Sequence, residues 1–112
     1  MLGLNSNLRI FFHRQPTDMR LGYEGLRSMV INAFAENPLS GNLFVFTNKS
    51  KNRCKILFYD KGGLCLLCKR LELGTFAIPT NASQFEIDRV ELAMFLDGIT
   101  AKDIRRNKRF SP

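Results

Sequence analysis

Ten carboxylates, three thiols, one imidazole and seventeen lysines and arginines are the groups in this 112-residue chain that could do chemistry. Metal-assisted phosphoryl transfer needs carboxylates gathered around divalent ions. The candidates are Asp18, Glu24, Asp60, Glu72, Glu86, Asp88 and Asp97. Asp18 and Asp88 stand where helix caps stand, and Asp60 stands in a turn. Glu24 and Glu72 have no partner at a spacing that ensures convergence. No glycine-rich loop ends in Lys-Ser or Lys-Thr, so nucleotide hydrolysis has no cradle. A single His13 and no Gly-x-Ser-x-Gly leave little for nucleophilic catalysis. The expected answer is not an enzyme, and a metal-dependent nuclease is the remote alternative.

The thiols are Cys54, Cys65 and Cys68, an odd number that excludes a full disulfide framework. Cys65-Leu66-Leu67-Cys68 has the form of a Cys-x-x-Cys pair, but it lies in a segment with strand character. Alternation along a strand sends residues three apart to opposite faces. These two thiols then cannot converge on zinc or close an easy disulfide. Cys54 and His13 would complete four ligands only off a strand. Buried free thiols, no metal and no cofactor are expected.

The cations carry the stronger signal. Residues 48–70 hold Lys49, Lys51, Arg53, Lys55, Lys61, Lys69 and Arg70 against one acid, Asp60. Residues 101–112 hold Lys102, Arg105, Arg106, Lys108 and Arg109 against Asp103. The formal net charge is +7, so the remainder of the chain is net acidic and the basicity is local. Local basicity favours an anionic partner over mere solubility, and a solvated basic face without a partner is the competing reading. Arg20 and Arg27 add two cations on the polar side of the first helix. Arg20 also has a structural reading, a guanidinium bonded to Asp18 or to carbonyls at a strand–helix joint. Phosphate contacts would give affinity without sequence readout, and no helix-turn-helix is recognisable.

The elements that must position these groups follow from the apolar pattern. Leu8 to His13 reads as a short strand that Pro16 ends. Asp18 is placed to cap a helix, clearest from Gly22 to about Glu36, with Leu26, Met29, Val30, Ala33 and Phe34 on its buried face. Gly22 and Gly25 point to close packing or a frayed first turn. Asn37-Pro38 stops that helix. Leu43–Thr47, Arg53–Tyr59 and Leu64–Leu71 are strands, the last two joined by the tight turn Asp60-Lys61-Gly62-Gly63. Phe85-Glu86-Ile87 is a last short strand. Asp88 with Glu91 forms a capping box for a second helix, with Val90, Ala93, Met94 and either Leu92 or Phe95 facing inward. Asp97-Gly98 ends it.

The fold expected is α+β in the order β-α-β-β-β-(β)-α: one domain over residues 1–100, with an antiparallel meander of four to five strands and two helices packed on one side. Residues 101–112 read as a basic, mobile tail. No run approaches the ~20 apolar residues of a membrane span, and residues 1–12 lack a signal-peptide pattern, so a cytoplasmic setting is expected.

Several spaced motifs resemble one known family. Pro16-x-Asp18-Met19-Arg20-x-Gly22 with Gly25-Leu26 is followed by Pro38-x-Ser40-Gly41-x-Leu43-Phe44-Val45-Phe46. Lys55-Ile56-Leu57, Asp60, Gly62, Cys65-Leu66, Lys69-Arg70-Leu71-Glu72-x-Gly74-x-Phe76 and Pro79 continue the same register. This series resembles the short TnpB-type accessory proteins of bacterial insertion sequence 66 elements, over about residues 8–100. They are distinct from the RNA-guided nucleases that share the letters TnpB. The resemblance implies a mobile-element protein, encoded beside a larger DDE-type transposase and contributing to transposition. The family often carries aromatic residues near positions 67 and 68 and a tryptophan near 78, where this chain has Leu67, Cys68 and Ile78.

Two functions of different class follow. One is a DNA-associated, non-catalytic factor that touches phosphates through the basic meander, with the tail as an electrostatic tether. The other is a protein adaptor for the transposase, with Leu66, Leu67 or Phe76 exposed on a sheet edge or face, against the favoured reading that these three belong to the core. An open edge strand also invites homodimerisation.

Overall fold

The computed structural model describes residues 7–79 and 86–99. Seven elements follow in the order β1 (Ile10–Phe12), α1 (Tyr23–Phe34), β2 (Leu43–Thr47), β3 (Arg53–Asp60), β4 (Gly63–Arg70), β5 (Glu86–Ile87) and α2 (Arg89–Asp97). One five-stranded sheet has the spatial order β4-β3-β2-β1-β5. The α+β class and the element order are those expected.

The sheet is mixed rather than wholly antiparallel. β1 runs parallel to β2, with Ile10 opposite Leu43 and Phe12 opposite Val45. The cause is α1, which carries the chain back before β2 begins, and parallel neighbours need such a crossover. The other three pairings are antiparallel.

The helices lie on opposite faces, not one. Ile10, Phe12, Leu43, Val45, Cys54, Ile56 and Phe58 form one core layer with Phe76, Ile87 and Phe95 of α2. Phe11, Phe44, Phe46 and Leu57 form the other with Leu26 and Val30 of α1. All five residues of β2 are buried, because a central strand between two helix-covered faces has no solvent side. Phe76 stacks on Phe95 at 4.7 Å, and Phe12 meets Phe95 edge-on at 5.1 Å. Such pairs add about 0.5–1.5 kcal/mol beyond area burial.

Local chemistry moved some boundaries. Asp18 does not cap α1. Its carboxylate accepts from the Arg20 backbone at 2.9 Å in a turn, and Gly22 takes the cap position with no side-chain bond. α1 closes at Ala35 in the left-handed region (φ 54°), ahead of Asn37-Pro38. Around Gly25 an added methyl would meet the Leu21 side chain. Asp88 and Glu91 do form the capping box on α2. The buried face of α2 is Phe95, with Leu92 and Leu96 packed beside it, whereas Val90, Ala93 and Met94, expected inside, are exposed. Phe85 and the tail residues 101–112, with Arg105, Arg106, Lys108 and Arg109, lie outside the described residues.

Candidate nucleic-acid interface

The β3–β4 hairpin sets the geometry of the cations. Its turn, Lys61-Gly62, has positive φ at both residues (44° and 88°), which suits a twisted two-residue hairpin. Pairing outward from that turn puts Asp60 opposite Gly63, Lys55 opposite Cys68, Cys54 opposite Lys69 and Arg53 opposite Arg70. Two arginines therefore face each other directly across the open end of the hairpin. Like charges in that relation destabilise a sheet.

The β2–β3 loop adds Lys49 and Lys51 at the same end. The Asn48 Oδ1 accepts from the backbone of Asn52 and of Arg53, each at 3.0 Å, and its Nδ2 donates to the Asn52 side chain at 2.7 Å. Phe76 N–H donates to the Lys51 carbonyl at 2.7 Å, so the segment after β4 braces the loop. Both lysine side chains are exposed, and Lys51 sits at φ 59°.

Arg53, Lys55, Lys69 and Arg70 line one open groove of about 400 Å³ with Met19, Cys54 and Cys68. No carboxylate lines it. The two ammonium groups there are held in place. Lys55 Nζ donates to the Leu21 carbonyl at 2.8 Å, on the α1 face. Lys69 Nζ donates to the Leu96 carbonyl at 2.7 Å, on the α2 face. A carbonyl fixes an ammonium without cancelling its charge. Arg70 touches Glu72 at 3.5 Å, an exposed contact of little energetic weight. Among the described residues, Lys49, Lys51, Arg53 and Lys61 form no ion pair.

Not every cation joins this end. Lys61 follows Asp60 at the far end of the hairpin, and Asp60 is roughly 23 Å from Arg53 by strand rise. Arg20 is forked onto Asp18 through Nε and Nη2, the latter at 2.8 Å, and that guanidinium holds the Asp18 carboxyl down to about 2. Arg20 thus takes the structural part weighed for it, although its side chain stays exposed beside Met19 of the groove wall. Arg27, on α1, does not line the groove.

The thiols and acids are dispersed. Cys65 packs toward the α2 layer, while Cys68 pairs with Lys55 on the opposite face of β4. Burial pushes the Cys54 thiol up to about 11. Both carboxylate oxygens of Glu86 accept from Arg9, through Nε and Nη2, and Asp88 holds the α2 cap. Among the described residues, no three His, Cys, Asp or Glu side chains converge on a metal position. No helix among them is long and apolar enough to cross a membrane.

The family model for IS66 Orf2-like proteins matches residues 8–106. Two proteins of Sinorhizobium fredii (strain NBRC 101917 / NGR234) are similar over nearly the whole length. The uncharacterized protein y4hO is 37% identical over 100 residues, covering 88% of this chain and 87% of its own. The uncharacterized protein y4jC is 38% identical over 107 residues, covering 95% and 92%. No solved structure matches.

Proposed function

Because the chain belongs to the IS66 Orf2-like family, a family of insertion-sequence accessory proteins, we propose that it serves transposition as a non-catalytic factor that grips DNA. The grip is the open end of the β3–β4 hairpin. Arg53 and Arg70 take backbone phosphates there, Lys49 and Lys51 extend the contact from the loop, and Lys55 adds fixed positive charge on the α1 face, with Lys69 behind it on the α2 face.

The observation that carries this reading is the facing pair Arg53 and Arg70. Two guanidiniums held across a ladder cost stability unless an anion lies between them. A second observation agrees. Lys51, in the loop at that end, occupies a left-handed backbone position, where glycine or asparagine fits with less strain. A cationic side chain stands there although the backbone favours other residues.

The contacts are to phosphates, so the protein binds duplex without strong sequence preference. Anisotropy of a labelled duplex at low salt tests the reading. The native chain binds, and Arg53→Glu with Arg70→Glu abolishes binding while the fold is kept. A native chain that leaves the duplex free at low salt removes the proposal. Capture of the element's transposase with little salt sensitivity would then install the adaptor role in its place.

A further inference from the structure

β4 is the edge of the sheet, and nothing among the described residues pairs with its outer side. Natural edges of that length are usually blunted by proline, bulges or charge. This one reads Gly-Leu-Cys-Leu-Leu-Cys-Lys-Arg, with six uncharged, largely apolar residues in a row and Leu67 left 42% exposed. Its pairing to β3 runs unbroken from Arg53–Arg70 to Asp60–Gly63, so no bulge turns the edge away.

We infer that β4 pairs antiparallel with β4 of a second copy, about a two-fold axis at Leu66, joining the two sheets into one. The charge pattern selects this occupant and direction. All the charge of β4 sits at one end, Lys69 and Arg70, and the other end is Gly63-Leu64. A parallel arrangement would stack two dibasic ends. The antiparallel one separates them and sets Lys69 beside Gly63 of the second copy. Asp60 is the cross-strand neighbour of Gly63 and lies on that same face, so its carboxylate comes within reach of the Lys69 side chain. The same register sets Leu67 against Cys65 and Cys68 against Leu64 of the second copy, covering the row that one copy leaves open.

The pairing has a consequence for the grip on DNA, which rests on the function proposed above. The two-fold axis stands perpendicular to the sheet, so both Arg53–Arg70 pairs face the same way. They lie about 26 Å apart along the strands. One duplex can then engage two grooves, and a linked second contact tightens binding without a new kind of interaction.

Sedimentation equilibrium across a range of protein concentrations, with hydrogen exchange at the β4 amides, tests the pairing. The native chain goes from one to two copies as concentration rises, and the outward-facing, alternate β4 amides gain protection in step. Leu67→Lys, at an exposed position, keeps the fold, stays a single copy and loses that protection. It still binds DNA with the salt dependence of one groove but more weakly, so the failure of the dimer and of DNA binding are told apart. A native chain that stays single at all concentrations overturns the inference. So does a dimer whose β4 amides are unprotected or unchanged by Leu67→Lys. Should Leu67→Lys unfold, the exchange pattern of the native chain decides alone.

Discussion

Lys69 Nζ donates to the Leu96 carbonyl at 2.7 Å, which ties the edge strand to the last turn of α2. A cation near a helix C-terminus satisfies an orphan carbonyl and opposes the helix dipole. Lys69 is thus a strut of the fold as well as a charge of the groove. Lys69→Met is expected to lower stability by about 1 kcal/mol, read by thermal or urea unfolding. Its loss of DNA affinity should be smaller than that of Arg53→Gln.

Arg53 behaves in the opposite sense. It faces Arg70 and forms no ion pair among the described residues. Arg53→Thr removes a like-charge cross-strand pair and places a good strand former at that site. Stability should hold or rise by about 0.2–1 kcal/mol, while duplex affinity falls. Chemical denaturation beside anisotropy checks both signs.

Thr17 buries a hydroxyl that finds no hydrogen-bond partner, although its backbone N–H donates to the Thr47 carbonyl at 2.7 Å. An unsatisfied buried hydroxyl costs stability, and its isosteric removal costs nothing. Thr17→Val is expected to leave the protein equally stable or up to about 1 kcal/mol more so, read from the unfolding midpoint.

The three thiols should differ sharply in reactivity. Cys68 is exposed, Cys65 half-buried and Cys54 buried with its thiol pushed up to about 11. The thiolate is the reactive form. Alkylation at pH 8 followed by mass spectrometry should label Cys68 first, Cys65 more slowly, and Cys54 only on unfolding.

The Asp18–Arg20 fork sets an acid-range signature. The guanidinium lowers the Asp18 pKa from 3.8 to about 2. A depressed carboxylate contributes stability above its unfolded pKa and loses it as pH falls through the folded one. That contribution is therefore whole above about pH 4 and fades toward pH 2. NMR titration should find Asp18 ionised at pH 3, and Arg20→Ala should return its midpoint toward 3.8.

Much of this fold can be read from local pattern. β2 was legible to the residue, because Leu43–Thr47 is a continuous apolar run bounded by turn residues. The α2 capping box was legible because Asp88 and Glu91 sit three apart. The two helix-covered faces were written in the same β2 run, since a strand with one wet face would alternate. The parallel β1–β2 pair was implied by the intervening helix but not by either strand alone. The burial of α2 escaped because Val90 and Met94 are as apolar as Leu92 and Phe95. Only the position of Phe76 picks the inner face. The facing arginines follow from counting outward from Lys61-Gly62. The tethering of Lys55 and Lys69 by carbonyls of Leu21 and Leu96 rests on contacts 34 and 27 residues away, which no local pattern encodes.

Salt titration of duplex binding tests the central claim most directly. With about five side chains on phosphates, log K should fall with log salt at a slope of about −4 to −5. Arg53→Gln should reduce that slope by about 1, because one phosphate contact is removed. A native slope near zero, or a slope that Arg53→Gln and Arg70→Gln leave untouched, would contradict a grip built on this end of the hairpin.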